Sequence, residues 1–140
     1  MPDLKPKAVI VGTIVDNVAT LFIMLLLMTA LSSTGISEDE VVSRMKSSSG
    51  MLLSLILGLG CTFLGGYVSG RIAQRAEVLH GAVVAGIGMV LALIWRESGL
   101  PNWYDIIGFV GMLPAGMLGG HLARQRRKTG DGVKDRIERR

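Results

Sequence analysis

The chain has 140 residues, of which 49% are hydrophobic and 19% are charged, and its 19 glycines follow no collagen-like period. This composition excludes an ordinary soluble domain and is typical of membrane helices, in which glycine is more frequent than in soluble helices. The pI of about 9.6 would suit a nucleic-acid-binding protein, but no aromatic residue is interleaved with the basic C-terminal residues to stack on bases. The single cysteine, Cys61, excludes an internal disulfide.

The first predicted span, TM1, covers residues 8–31 and is long enough to cross about 30 Å of hydrocarbon. Three more spans follow it, so we interpret TM1 as an uncleaved helix and not as a signal peptide. In the polar segment after TM1, Ser37 and Glu40 have the spacing of a capping box. This spacing predicts a short helix that begins at Ser37.

The second span, TM2, covers residues 50–70 and has one small residue per helical turn. We name these residues the Ser54 stripe; they are Ser54, Gly58, Thr62, Gly66 and Gly70. Small residues at this spacing let helix backbones approach closely in lipid. The Ser54 stripe is therefore predicted to be a helix-packing surface.

TM3 (residues 78–95) and TM4 (residues 103–122) complete a predicted transmembrane domain of residues 1–122. TM4 has two such stripes on neighbouring faces, and Gly116 and Gly120 of one stripe are predicted packing residues. The stripes are Gly108, Met112, Gly116 and Gly120, and then Gly111, Ala115, Gly119 and Ala123. One stripe suffices for packing inside the chain, so we expect the other to be free for a second copy or a partner subunit.

Residues 123–140 form a predicted basic cytoplasmic tail. The N-terminus, the TM2–TM3 loop and this tail hold 12 of the 15 Lys and Arg residues, so the positive-inside rule places both termini in the cytoplasm. We expect the arginines at the span ends to be membrane anchors that bind anionic lipid head groups. They are Arg71, Arg75, Arg124, Arg126 and Arg127.

Asp16 is the most unusual residue, because its carboxylate lies about 13 Å along TM1 from the membrane edge. An ionisable residue inside a membrane span is a candidate functional residue, and Asn17 is its polar neighbour. By depth, Thr62 and the level of Gly116 should face Asp16. Three interpretations stay open: a neutral or hydrogen-bonded link between helices, a contact with a partner subunit, and a proton or cation site.

The sequence contains no nucleophile elbow, P-loop or HExxH motif, so we predict no catalytic residue and no enzyme activity. A metal site would need three or four convergent ligands, and the spacing of His80, His121 and Glu77 does not supply them. We therefore expect no metal or cofactor, and we interpret both histidines as residues of the membrane interface.

Two pairs of segments resemble each other. Residues 8–15 (AVIVGTIV) are similar to residues 82–89 (AVVAGIGM), and residues 64–71 (LGGYVSGR) are similar to residues 118–124 (LGGHLAR). A duplication would give two parallel hairpins related by an axis along the membrane normal. Chance recurrence of Gly, Ala, Val and Leu is the alternative.

Residues 64–86 resemble the central hairpin of small uncharacterised four-span bacterial inner-membrane proteins. The positions that carry the resemblance are Gly65, Gly66, Gly70, Arg71, Ala73, His80 and Gly81. The resemblance implies a multi-span protein of the cell inner membrane and brings no activity with it. Small multidrug exporters and fluoride channels share the size and span count, but this sequence lacks their signatures.

The predicted fold class is all-α, an integral membrane four-helix bundle. Two functions fit this fold. The first is a non-catalytic accessory, interaction or scaffold subunit that packs through its glycine stripes against itself or a membrane partner protein. The second is a small homo-oligomeric transporter or channel with Asp16 near the pathway. Nucleic acid is not an expected partner.

Overall fold

A computed structural model of the protein describes residues 4–95 and 101–138, with side chains described as far as residue 129. Within these ranges the chain forms five α-helices and no strand. They are α1 (Pro6–Ser32), α2 (Glu38–Met45), α3 (Ser48–Ala73), α4 (Glu77–Ile94) and α5 (Asn102–Glu138). Four of them, all except α2, are long and apolar enough to cross a membrane. The prediction of an all-α membrane bundle is confirmed, and the protein is a multi-pass integral membrane protein.

The helix starts follow local sequence signals. Pro6 lies in the first turn of α1, where its missing N–H group costs no hydrogen bond. The Ser37 hydroxyl accepts a hydrogen bond of 3.4 Å from the Glu40 N–H group, so the predicted start of α2 is confirmed. The Ser47 hydroxyl accepts a 3.2 Å hydrogen bond from Gly50 N–H and caps α3 in the same way.

The turn between α3 and α4 is short and depends on two non-glycine residues in the left-handed region. Gln74 has φ 57° and is the C-cap of α3, whereas Ala76 has φ 48° and is the N-cap of α4. Left-handed backbone is unfavourable for residues with a Cβ atom, so contacts around this turn must hold it. The turn makes α3 and α4 antiparallel neighbours.

The two helices joined by this turn form the centre of the bundle. Both α3 and α4 pack against α1 and α5, whereas within the described residues no Cα atom of α1 lies within 8 Å of a Cα atom of α5. We call the end with Lys5, Gln74 and Arg127 the basic end, and the end with Ser32 and Asn102 the distal end. These two names refer to the molecule and not to a side of the membrane.

The predicted spans lie largely inside the observed helices. The exception is TM3, whose predicted end at Trp95 is one residue beyond the end of α4 at Ile94. The segment predicted as a tail, residues 123–140, is the continuation of α5 as far as Glu138. Its last two residues, 139 and 140, lie outside the described residues. With 37 residues, α5 is about 55 Å long and therefore longer than the hydrocarbon core of a bilayer.

Equivalent glycines of the two similar segments have different surroundings. A Cβ atom at Gly12 would lie 2.6 Å from Ser69 Cβ, whereas a Cβ atom at Gly86 would have open space around it. The two hairpins thus do not pack alike at this position, and duplication stays a prediction.

Candidate functional site

The basic half of the bundle is closed by backbone contacts between glycines. A Cβ atom at Gly66 of α3 would overlap the carbonyl oxygen of Gly116 on α5. A Cβ atom at Gly70 would lie 3.0 Å from Ala123 Cβ and 3.2 Å from Gly120 Cα. Gly66 and Gly70 are both buried, so this part of the Ser54 stripe faces α5 at van der Waals distance.

Both stripes of α5 are used inside a single copy of the chain. Gly116 and Gly120 face α4, where their Cβ atoms would meet the backbones of Gly81 and Glu77. Gly119, from the other stripe, faces α3, where a Cβ atom would overlap the Phe63 carbonyl oxygen. The expectation that one stripe is free for a second copy or a partner is therefore wrong, because α5 lies in the angle between α3 and α4.

The distal half contains a cavity of about 420 Å³ that is bordered by α1, α3, α4 and α5. Ser54 and Gly58 line it, and a Cβ atom at Gly58 would have no neighbour within 4 Å. Trp95 and Tyr104 line the cavity toward the distal end. The Ser54 stripe thus changes from a packing surface in the basic half to a cavity wall in the distal half.

Asp16 lies where α1, α3 and α4 meet, and its side chain is only 5% exposed. Its Oδ1 atom accepts a hydrogen bond of 3.3 Å from the Thr62 hydroxyl, so the predicted Asp16–Thr62 contact is confirmed. The same hydroxyl lies 3.3 Å from the Gly58 carbonyl oxygen and shares its proton between the two acceptors. Asp16 Oδ2 lies 3.2 Å from the Cβ position of Gly88. On α4, Gly88 therefore approaches the carboxylate, whereas the predicted position of Asp16 at the level of Gly116 stays a prediction.

The cavity ends one helical turn from Asp16. Its lining includes Thr20, Gly58, Ala92 and Met112, each four residues along its own helix from Asp16, Thr62, Gly88 and Gly116 respectively. Met112 Cε lies 3.5 Å from the Cβ position of Gly88, the same position that Asp16 Oδ2 approaches. The Met112 side chain thus reaches from the cavity to the surroundings of the carboxylate.

Two further hydroxyl groups lie on the basic side of Asp16. Thr13 Oγ1 and Ser69 Oγ are buried and have no hydrogen-bond partner among the described residues. Ser69 was missed by sequence reasoning, although it lies seven residues after Thr62 and hence two turns along the same helix face. Ser69 Cβ lies 2.6 Å from the Cβ position of Gly12, so the Ser69 hydroxyl lies about one turn from Asp16 on the basic side.

Asn17 and Arg71 do not join this group. The Asn17 amide donates a 2.8 Å hydrogen bond to the Thr13 carbonyl oxygen within its own helix. Arg71 donates a 3.1 Å hydrogen bond to the Tyr67 hydroxyl, and its guanidinium carbon lies 5.9 Å from the Tyr67 ring centroid. Arg71 is exposed, so its cation stays at the basic end and does not meet Asp16.

Arg127 holds the basic end together. Its Nη2 atom lies 2.9 Å from Oε1 of Glu77, which is only 4% exposed, and its Nη1 atom donates to the Gln74 carbonyl oxygen. Arg127 thus ties α5 to the strained turn between α3 and α4, a role that the lipid-anchor prediction did not include. The other predicted anchors, Arg71, Arg75, Arg124 and Arg126, are exposed.

His80 is fully buried inside the bundle, close to the start of α4. Its position at the level of the membrane interface stays a prediction. Its Nε2 atom accepts a 3.0 Å hydrogen bond from the Lys5 N–H group, and its Nδ1 atom lies 3.0 Å from the Ala76 carbonyl oxygen. This pair of bonds assigns the ring proton to Nδ1. His80 therefore fastens the start of α1 to the first turn of α4. His121 is exposed, and its Nε2 atom lies 3.1 Å from Gln125 Nε2.

Among the described residues, no group of three or more His, Cys, Asp or Glu side chains could hold a metal ion. Comparison of the chain with protein-family models, with curated proteins and with solved structures gives no match. The resemblance of residues 64–86 to a bacterial hairpin stays a prediction. The geometry around Asp16 is therefore the basis for a functional proposal.

Proposed function

We propose that the protein is a small membrane transport protein in which Asp16 binds a proton or a small cation at the base of the distal cavity. The observation that supports this proposal is the position of the carboxylate between two unlike halves. A cavity of about 420 Å³ ends one turn from Asp16 on the distal side. On the other side, glycine contacts close the bundle. Alternating access requires a stage in which a buried site lies close to one side of the membrane and is closed to the other side.

The chemistry around Asp16 suits a hard ligand. The Thr62 hydroxyl already contacts the carboxylate, and the buried Thr13 and Ser69 hydroxyls have no hydrogen-bond partner among the described residues. Oxygen ligands are those that small hard cations prefer, and a proton needs only the carboxylate itself. Thr20 directs its hydroxyl to the Asp16 carbonyl oxygen at 2.8 Å and lines the cavity, so the cavity floor is polar at this point.

The proposal includes the bacterial inner membrane as location and the cytoplasm as the compartment of both termini. The support for this orientation is the concentration of Lys and Arg residues at the basic end. The distal cavity then faces the outside of the cell. A homo-oligomer would be held through lipid-facing surfaces other than the glycine stripes, because one copy uses those stripes internally.

The other function that fits the fold is an accessory or scaffold role. A free stripe on α5 would support it, but both stripes of α5 are used inside one copy of the chain. The outward face of α1 exposes large apolar residues, with Leu21 69% and Leu25 65% exposed. Lipid chains and a partner helix would cover such a face equally well. The accessory role therefore stays a prediction without a contact that favours it.

Flux measurements in proteoliposomes test the proposal. The purified full chain is reconstituted with pyranine inside for proton gradients, and with a sodium-sensitive or potassium-sensitive dye inside for gradients of those ions. We expect flux in the wild type and a reduction of roughly tenfold or more in Asp16→Asn, which keeps the shape but cannot carry the charge. Asn17→Ala is the matched control, because Asn17 is adjacent on α1 and bonds only to its own helix.

Each outcome decides between the two functions. Wild-type flux no greater than that of protein-free liposomes under all three gradients contradicts the proposal, and so does equal flux in wild type and Asp16→Asn. Equal losses in Asp16→Asn and Asn17→Ala would contradict a specific site and indicate damage to α1. A detergent pull-down from native membranes runs in parallel, and a partner lost in Asp16→Asn without any flux would favour the accessory role.

A further inference from the structure

A groove of about 640 Å³ lies at the basic end, between the α3–α4 turn, the first turns of α4 and the facing part of α5. Its polar part is lined by Arg75, Arg124, Arg127 and Glu77, and its apolar part includes Leu79, Ala82 and Met117. Leu79 is 37% exposed and Met117 is 43% exposed. The groove therefore offers cationic and apolar surface side by side, at the level where a span ends.

The polar part has an excess of positive charge. Arg127 neutralises Glu77, with 2.9 Å between Nη2 and Oε1. Arg75 and Arg124 are both exposed, and neither has an ion-pair partner within the described part of the chain. Guanidinium groups bind phosphate through paired hydrogen bonds, so an anionic phosphate is the complement of this surface.

The apolar part continues along α4 toward the membrane centre. Gly86 lies one turn beyond Ala82, and a Cβ atom at Gly86 would have no neighbour within 4 Å. Because Ala82 has only a Cβ atom and Gly86 has no side chain, the surface of α4 is recessed at these two positions, and we call this recess the channel. A soluble phosphate would leave this channel uncovered, whereas an acyl chain would fill it.

We propose that this groove binds one anionic glycerophospholipid, with its phosphate on Arg75 and Arg124 and one acyl chain along Leu79, Ala82 and Gly86. Basic pockets between membrane helices are known to take anionic head groups. Span-end arginines are expected to attract anionic lipid head groups in general, whereas this groove would bind one lipid at one defined site. It rests on the membrane character of the protein and does not depend on transport at Asp16.

Native mass spectrometry of the full chain in detergent tests the site. Dioleoyl-phosphatidylglycerol is the anionic probe, dioleoyl-phosphatidylcholine is the neutral probe with the same chains, and inorganic phosphate is the competitor. Arg75→Gln/Arg124→Gln should weaken phosphatidylglycerol binding about tenfold. The matched control, Arg71→Gln/Arg126→Gln, removes the same charge from arginines that line an adjacent groove of about 260 Å³ and not the lipid groove. Its effect should stay below about twofold.

A second variant, Ala82→Phe, fills the apolar part and leaves every charge in place. We expect it also to release phosphatidylglycerol, which keeps the test decisive if the arginine variant unfolds. Equal losses in the two double variants would overturn the proposal in favour of diffuse electrostatic attraction. Equal binding of the two phospholipids, displacement of phosphatidylglycerol by inorganic phosphate alone, or full binding by Ala82→Phe would each overturn it as well.

Discussion

The two halves of the bundle use the same kind of sequence in different ways. In the basic half, Gly66 meets the backbone of Gly116, so α3 and α5 touch. In the distal half, a Cβ atom at Gly108 would lie 3.5 Å from Leu55 Cδ1, and one at Gly111 would lie 3.1 Å from Leu59 Cδ1. There a leucine side chain separates the two helices. A small-residue stripe therefore brings backbones together only where the opposing residue is small too, and elsewhere it leaves a cavity.

The largest expected effect comes from making the same change at two positions of the Ser54 stripe. Gly66→Ala should lower the free energy of unfolding by about 2–3 kcal/mol, because its Cβ atom would overlap the Gly116 carbonyl oxygen. Gly58→Ala should cost nothing, because a Cβ atom there has no neighbour within 4 Å. Thermal unfolding in one detergent measures both. Equal losses of unfolding free energy at Gly66 and Gly58 would mean that the two halves of the bundle do not differ in how closely the helices pack.

A smaller loss is expected from Arg127→Gln, which leaves the buried Glu77 carboxylate without its cation. Removing one partner of a buried pair costs about 3–5 kcal/mol, and the 40% exposure of Arg127 reduces this to about 2 kcal/mol. Arg126→Gln is the control, because Arg126 is exposed and makes no ion pair within the described residues.

The double variant Glu77→Gln/Arg127→Gln checks the cause of that loss. It should be more stable than Arg127→Gln alone, because it removes the uncompensated charge. The measurement is again the unfolding midpoint in detergent. If the double variant is no more stable than the single variant, the loss comes from the Gln74 contact and not from Glu77.

The two halves of the bundle can also be compared by the reaction rate of a cysteine placed in each. The native Cys61 is 1% exposed, whereas Ser54 lines the distal cavity. Ser54→Cys/Cys61→Ala should react with a membrane-impermeant methanethiosulfonate reagent about tenfold faster than the wild type, because a thiol needs water around it to ionise. Both proteins should label completely in denaturing detergent. Equal rates in the folded proteins would show that the cavity holds no water.

The smallest effect is expected from Thr62→Val, which removes the hydroxyl that contacts Asp16. Side-chain hydrogen bonds between membrane helices contribute about 0.6 kcal/mol on average, and the 3.3 Å distance indicates a bond of ordinary strength or less. Thr29→Val is the control, because the exposed Thr29 bonds only to Leu25 in its own helix. A loss well above the average would mean that Thr62 organises more of the site than one bond.

Much of this fold could be predicted from sequence because its signals are local. The spans follow from runs of apolar residues, and the start of α2 follows from the Ser37 cap. The Asp16–Thr62 contact followed from depth alone, since antiparallel spans place residues of similar depth at the same level. The continuation of α5 had no such signal, because the apolar run ends near Leu122 and Gly130 and Gly132 lower helix propensity.

The errors concern which helices are neighbours. The periodicity of a stripe shows that a surface is small, but it does not show which helix faces it, so the two stripes of α5 could not be assigned to α3 and α4. The contact of His80 with Lys5 joins residues 75 positions apart, and no spacing rule connects them. Arg127 was interpreted as a lipid anchor because its partner, Glu77, becomes buried only when the turn forms.

The position of Asp16 in the first span has a consequence for biogenesis. The residue that hydrogen-bonds its carboxylate lies 46 positions later in the chain, and the histidine that binds Lys5 lies 75 positions later. During synthesis, α1 is therefore made before either partner. The first span must either enter the lipid while its carboxylate has no Thr62 hydroxyl to contact, or wait beside the insertion machinery. The contact between Lys5 and His80 forms only after α4 begins, so α1 reaches its final environment after α2 and α3 have been synthesised.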